Sequence, residues 1–574
     1  MAPLLVAAID FGTTYSGWSY SFKHEFELDP TKASTKRWHG DQLVSLKAPT
    51  CVLIEPDGET FSAFGYDAEN NYTRLAEAEE HEQWYFFKRF KMKLYNEDIN
   101  RDMKIEDKTG KKLKADIVFS AAIRFLKDDL LKVIQDRIKG SVKPEEISWV
   151  LTVPAIWDDG AKQFMRESAE NAGISSDKLI MALEPEAAAI YCRFLPMENS
   201  GQGDSLSTIK TGSRVMVVDA GGGTVDFAVQ EVAENGSMNN IYKASGGDWG
   251  GTKVEEAYVK FLEDIIGKDS IDEFKRSNME DYIFMIRDFE MKKRDVDPLK
   301  SEKPVVFRIT ATLLQLVKQR KGKEIHELIV DSAFDKTVSI KADKLKVDMD
   351  VVRNIFKIQI EAIVDHVSNL LDQSTVGDIE AIVLVGGFSN CSLLQQAMNT
   401  KFDGHTILVP NDADLAVLNG AVIFGHKPEL ISQRVSKYTY GTDTNEYFIE
   451  HVHRESYKEI DENGEARCKN VFDKHITAGQ CLIIGEAQDE QSYSPIASTQ
   501  TAIDFDIYYT IDPDPMYVTD EGCHFAGTLE VPLEGSGTDR YVMGRMLYGG
   551  TEIEVEATEV ATGKVHHLKI DFLS

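Results

Sequence analysis

The stretch Arg214-Val-Met-Val-Val-Asp-Ala-Gly-Gly-Gly-Thr-Val-Asp-Phe-Ala-Val-Gln-Glu-Val232 holds the residues best suited to chemistry. Its apolar run Val215–Val218 predicts a buried strand that ends on a carboxylate, Asp219. Gly221, Gly222 and Gly223 let the backbone turn tightly and present bare N–H groups to an anion. Thr224 follows, and Asp226 stands at the start of a second apolar strand. Carboxylates facing one spot from the two arms of a hairpin suit a hydrated divalent cation seated on a phosphate chain. Taken alone, the segment also fits a Gly-rich β-turn with incidental acids. A second copy near the N-terminus weakens that alternative. There Leu4–Ile9 ends on Asp10, Gly12, Thr13 and Thr14 make the turn, and Tyr15 leads into an alternating strand through Trp18, Tyr20 and Phe22. Two such hairpins suggest two related halves closing on one phosphate chain. No Gly-Lys-Ser or Gly-Lys-Thr occurs, so the arrangement is not a Walker loop.

The paired hairpins resemble those of the 70-kDa heat-shock proteins, within the wider group that shares the actin-like ATPase fold, and the resemblance runs over nearly the whole chain. It implies an α/β fold: a two-lobed actin-like ATPase domain of duplicated RNase H-like halves over residues 1–428, then a smaller antiparallel β-sandwich over 429–574. It further implies ATP or ADP with Mg²⁺. The Asp10 and Asp219 turns would hold the hydrated cation through water, and Glu184 and Asp226 would order its water shell. The Gly12–Tyr15 and Gly221–Thr224 turns would cradle the phosphates. Lys88, of the pair Lys88-Arg89, would position the attacking water together with Thr224.

The same resemblance extends to the nucleoside. Ser245-Gly246-Gly247-Asp-Trp-Gly-Gly-Thr is similar to the family's glycine turn onto a helix, whose amides meet phosphate or ribose oxygens. Phe289-Glu290-Met-Lys-Lys293-Arg294 resembles its Glu-x-x-Lys-Arg, although a charged helix face explains that spacing equally well. Gly386 and Gly387 would let an adenosine lie against bare backbone, and Asp414 matches an aspartate of the same pocket. One departure stands out. Phe388 and Asn390 replace the family's serine and arginine beside the adenine, so planar arginine stacking is lost and Phe388 is left as the candidate to stack instead.

These residues need a scaffold. Arg74–Tyr95, with its aromatic cluster around Lys88 and Arg89, is expected as a helix, and Asp116–Lys139 as an amphipathic one. Ile147–Pro154 is expected as a buried strand, and 160–173 as a helix capped by Gly173. Leu179–Leu183 then ends on Glu184-Pro185 and an alanine-rich helix, with proline in the first turn. Asn199–Ser213 reads as a loop, 252–295 as helical, 350–372 as a helix, and Asp414 precedes a helix ending near Gly425. From about Glu429 the period changes to short alternating runs, among them Tyr447–Val452, Cys481–Ile484, Ala502–Tyr509, Thr551–Thr558 and Lys564–Phe572, which predicts antiparallel β structure. The chain stops after these strands, so the helical lid of the family is not expected, and its acid-flanked leucine-rich linker is missing around His426–Val435.

Composition sets the bounds. With 574 residues and 42% hydrophobic side chains, several domains with sizeable cores are available. A net charge of -31 argues against nucleic acid and against docking on anionic lipid. His475–Asp539 lacks Lys and Arg, which predicts an acidic face. Six scattered cysteines show no metal or redox spacing. The N-terminal apolar run ends at Asp10 without a basic lead, so a first strand is expected rather than a signal peptide, and the cytoplasm is the default location. Three functions compete. The favoured one is a chaperone-like, slow ATPase whose β region grips unfolded or extended peptide segments and works with co-chaperones. The others are a nucleotide-dependent interaction module with little hydrolysis, and a small-molecule kinase of the same fold.

Overall fold

The computed structural model describes residues 3–40, 44–95, 97, 99–137, 142–195, 210–297, 302–548 and 552–573. Two mixed sheets share one pattern. In the first, strands Leu179–Leu183, Ile147–Val153 and Leu5–Asp10 run parallel, and Tyr15–Phe22 returns antiparallel to Leu5–Asp10. In the second, Thr406–Leu408, Ala381–Val385 and Arg214–Ala220 run parallel, and Val225–Val232 returns antiparallel. Each expected hairpin is therefore the seam where a parallel sheet turns back on itself. The parallel strands are buried along nearly their whole length, which is why they read as unbroken apolar runs.

Helices Glu184–Phe194 and Ala416–His426 pack against each other between the two sheets, among Val6 and Val150 of the first and Val215, Val217 and Val383 of the second. Their approach depends on glycine. A Cβ at Gly420 would lie 1.7 Å from the Ala187 carbonyl oxygen. Close packing aims the N-terminal ends of both helices, with Glu184 and Asp414, at the space between the hairpins. Helices Gly251–Ile266, Lys268–Ser277 and Met279–Arg294 form the region expected to be helical, and Met349–Leu371 is the long amphipathic helix. Ala115–Arg137 and Asp159–Asn171 cover the first sheet.

Three expectations change. Arg74–Tyr95 is not one helix: helix Gly65–Glu77 ends, Tyr85–Lys88 is a strand paired with Cys51–Ile54, and Phe90–Leu94 is a 3₁₀ turn. Its aromatics alternate across a strand, with Phe86 stacked on Tyr72 at 4.3 Å between ring centroids, and this period of two wins over helix propensity. In the C-terminal region Thr439–Tyr447 is the strand, and the run after Tyr447 is turn. Cys481–Ile483 pairs with Ile431–Val435, and both belong to the second sheet, next to Met238–Asn240. Most of the loop expected over Asn199–Ser213 lies outside the described residues.

The remaining C-terminal strands form a five-stranded and a four-stranded antiparallel sheet over one apolar core that includes Phe505, Ile507, Val531, Met546 and Val555. Among the described residues no α-helix follows His426. This region is tied to the rest of the chain at several points. Arg434 forms a buried bidentate pair with Glu186, Tyr440 bonds Asp159, Arg166 pairs with Glu552, and Arg101 reaches Asp571 at 2.8 Å. Leu573 is buried in the core of the first sheet.

Candidate nucleotide site

The two hairpin turns face each other across a cavity of about 380 Å³. Gly12, Thr13, Thr14 and Tyr15 line it from the first hairpin, and Gly221–Thr224 from the second. The loops nearly touch. A Cβ at Gly222 would stand 2.0 Å from Thr14 Oγ1, and one at Gly223 would stand 2.5 Å from Thr13 Oγ1, so only glycine lets them close. The N–H groups of Gly250, Gly251 and Thr252 donate to the carbonyls of Gly223, Gly221 and Gly222 at 3.0, 3.1 and 2.8 Å, which fixes the second turn from behind.

Carboxylates gather at this end. Asp10, Asp219, Glu184 and Asp414 line the cavity. Asp226 sits opposite Asp219 in the hairpin register, behind the cavity wall, where the Ile156 N–H donates to its Oδ1 at 3.0 Å. Asp10 Oδ1 accepts from Thr152 Oγ1 at 3.0 Å. Burial pushes Asp219 well above the usual carboxylate range, and the charges of Glu184, Asp226 and Asp10 push it the same way. Glu184 is raised to about 7 by burial, while the Lys91 ammonium, 2.6 Å from its Oε1, pulls the other way.

Lys91 corrects the expectation placed on Lys88. Lys88 ends its strand facing away, 2.8 Å from Glu69 Oε1, and lines a second cavity of about 560 Å³. Arg89 then takes a left-handed backbone with φ of 61°, which swings the chain round so that Lys91 enters the carboxylate cluster. Lys91 is 1% exposed, with its Nζ 5.1 Å from the Trp157 ring centroid. The expected helix would not separate the two lysines as the strand Tyr85–Lys88 and the turn Phe90–Leu94 do.

The glycines Gly246 and Gly247 also sit elsewhere than expected. They form part of a strand paired with Val225–Phe227, and a Cβ at Gly246 would meet the Val225 carbonyl oxygen at 2.0 Å. Tight strand pairing explains them, and Gly251 lines the cavity instead. At the far end Glu290, Lys293 and Arg294 line the cavity from one helix. Tyr15 Oη donates to Glu290 Oε1 at 2.7 Å, and the Arg294 guanidinium lies 5.1 Å from the Tyr15 ring centroid. Although burial works upward on Glu290, the surrounding charges of Lys88, Lys293, Arg89 and Arg294 bring it down to about 2.

Gly386 and Gly387 line the same end. Nothing lies within 4 Å of a Cβ built on Gly387, so bare backbone faces open space there. Phe388 is largely buried but borders the cavity with Phe356 and Val417, giving an apolar wall, and Asn390 stands where an arginine was missed. The sequence marked the helix over 350–372 without assigning its Phe356 to the cavity. It gave no signal for Lys47, whose Nζ is 2.5 Å from Asp10 Oδ2.

The donors fit a nucleoside phosphate. Among the described residues Thr14 Oγ1, buried beside the glycine loops, has no hydrogen-bond partner, which leaves a donor for an anion. Among the described residues no three His, Cys, Asp or Glu side chains converge on one ion.

The Hsp70 protein family model matches residues 77–429. Heat shock 70 kDa protein 12A of Mus musculus is 33% identical, with 100% of this chain and 92% of that protein covered. Human heat shock 70 kDa protein 12B is 30% identical over 99% of this chain and 91% of its own. The chaperone protein DnaK of Picrophilus torridus is 23% identical over 51% of this chain and 43% of its own. The chain belongs to the Hsp70 family and resembles its 12A and 12B members. It is a nucleotide-binding Hsp70-like protein, and its mixed α/β architecture fits the actin-like ATPase fold.

Proposed function

We propose that this protein is an atypical Hsp70-like chaperone: a slow, Mg²⁺-dependent ATPase that couples its nucleotide state to a peptide-binding β region. The observation that carries the reading is the meeting of two strand–Asp–Gly/Thr hairpins across one cavity, with a buried lysine on a buried glutamate beside them. Residues 1–428 act as two lobes around that cavity, and the two antiparallel sheets after Val435 act as a β-sandwich. The pairing of Ile431–Val435 with Met238–Asn240 supports drawing the boundary after that strand, a little beyond 428.

Phosphoryl transfer to water depends on positioning and charge neutralisation. Mg²⁺, when bound, neutralises the β- and γ-phosphate charge. Asp10 and Asp219, which line the cavity, would hold its water shell, while Asp226 stays behind the wall on the Ile156 N–H. The Gly12–Tyr15 and Gly221–Thr224 turns donate to phosphate oxygens. Lys91 and Thr224 orient the attacking water, and ionised Glu184 accepts hydrogen bonds from that water network. Tyr15, Glu290, Lys293 and Arg294 bind the nucleoside, with Phe356 and Phe388 as its apolar wall. Extended or unfolded segments are the proposed clients, and co-chaperones the proposed partners.

Support for coupling comes from the strand Ile431–Val435, which joins the nucleotide-side sheet to the β region through the Arg434–Glu186 pair two residues from Glu184. A second reading, nucleotide binding with little hydrolysis, is favoured by Asn390 and Phe388 at the base. Calorimetry and steady-state turnover on wild type and Asp219→Asn separate the two. The chaperone reading expects slow turnover that Asp219→Asn abolishes, and undiminished hydrolysis in the variant refutes the site.

A further inference from the structure

We infer that Lys47 is a built-in cation of the phosphate subsite, which lets this chain hold a nucleoside di- or triphosphate without a divalent metal. This rests on the nucleotide reading above. Lys47 leads directly into the short strand Ala48–Pro49, which pairs with Tyr15 and Ser16 of the first hairpin. The following residue, Thr50, is bonded to the same turn: its N–H donates to the Thr14 carbonyl at 2.8 Å, and its Oγ1 to the Gly12 carbonyl at 2.6 Å. The lysine is thus mounted rigidly on the phosphate-facing loop. Gly17 makes room for it, since a Cβ there would come within 3.0 Å of Lys47 Cγ.

The side chain is 13% exposed and lies in the cavity with its Nζ on Asp10 Oδ2. The other Asp10 oxygen accepts from Thr152. Both Asp10 oxygens therefore already carry a hydrogen bond, and the ammonium competes with cation-bound water for Oδ2. That ammonium lines the same cavity as the glycine loops that would receive a phosphate chain. Among the described residues Lys47 and Lys91 are the two lysines at this end of the cavity, and Lys91 is held between Glu184 and Trp157. A fixed, desolvated ammonium next to the glycine loops supplies part of the charge neutralisation that Mg²⁺ otherwise provides.

The test is the dissociation constant of ADP and of ATP for the full chain, in Mg²⁺ and in EDTA, for wild type, Lys47→Met and Lys47→Arg. Loss of one charge-assisted contact to phosphate is of the order of tenfold or more in affinity. Wild type is expected to weaken by less than about tenfold in EDTA. Lys47→Met is expected to make that metal dependence at least about tenfold steeper, and Lys47→Arg to keep it near wild type. A wild type that weakens by about tenfold or more in EDTA overturns the inference, even where Lys47→Met does not fold. So does a Lys47→Met whose metal dependence equals that of wild type. Nucleotide binding that strictly needs Mg²⁺ sinks this inference alone, whereas no nucleotide binding in either buffer sinks the nucleotide reading as well.

Discussion

Arg434→Met should uncouple the C-terminal region from the nucleotide-side sheets, and its cost follows from the burial of the pair it breaks. Arg434 and Glu186 are each 3% exposed at the side chain. Arg434 Nε donates to Glu186 Oε1 at 2.8 Å and its Nη2 to Oε2 at 2.6 Å, a bidentate geometry. Asn240 Nδ2 adds a third bond to Oε1 at 2.7 Å. Methionine fills similar volume but strips both guanidinium bonds from the Glu186 carboxylate and leaves it the Asn240 amide. Breaking one side of a buried ion pair costs about 3–5 kcal/mol, far more than an exposed pair is worth. Glu186→Gln combined with Arg434→Met removes the stranded charge and should recover much of that loss, a coupling of about 2 kcal/mol or more. Urea titration of the single and double variants measures the cycle. Limited proteolysis around 426–437 reports whether the strand Ile431–Val435 leaves the sheet. An Arg434→Met variant within about 1 kcal/mol of wild type, or a double variant as unstable as the two losses added, would show that the pair is not a clamp.

Two further outcomes bear on the cleft and its scaffold. Lys91→Met should cut ATP turnover by about a hundredfold or more while leaving ADP affinity within a few-fold, since positioning of the water is what is lost. Burial already raises Glu184 to about 7 against the pull of the Lys91 ammonium, so turnover should climb as pH rises through that value, and Lys91→Met should move the climb to higher pH. An unchanged rate and pH profile between pH 6 and 9 would remove Lys91 from the mechanism. His426, stacked on Phe26 at 4.2 Å and bonded to Ser21, is lowered by burial to about 4 from an ordinary value of 6.5. The unfolded chain therefore binds a proton over that window and the native chain does not, so the stability His426 contributes is present above pH 6.5 and is lost as pH falls through about 4. His426→Gln should flatten the melting temperature over that acid range, and an unaltered slope would assign the acid sensitivity elsewhere.

Much of this molecule was legible locally. Each hairpin is a contiguous run in which an apolar strand, a carboxylate and glycines fall in fixed order, so strand, turn and charge need no distant partner to be recognised. The same holds for Glu184-Pro185 at the start of its helix and for the long amphipathic helix Met349–Leu371. What escaped depends on contacts far apart in sequence. Whether Lys88 or Lys91 reaches Glu184 turns on a single left-handed residue, Arg89, held between a strand and a 3₁₀ turn. Lys47 sits in an unremarkable polar stretch and acquires meaning only because Ala48–Pro49 pairs with the first hairpin and sets its ammonium on Asp10. Gly246 and Gly247 look like a phosphate loop, yet strand pairing with Val225–Phe227 uses them for close approach. The strands Ile431–Val435 and Cys481–Ile483 join the second sheet rather than the sheets that follow, because backbone hydrogen bonding at a sheet edge is chosen by which strand arrives there and not by side-chain pattern. Local order along the chain thus specified the phosphate-facing turns, while the charges that serve or oppose them were assigned by packing between segments the chain itself keeps far apart.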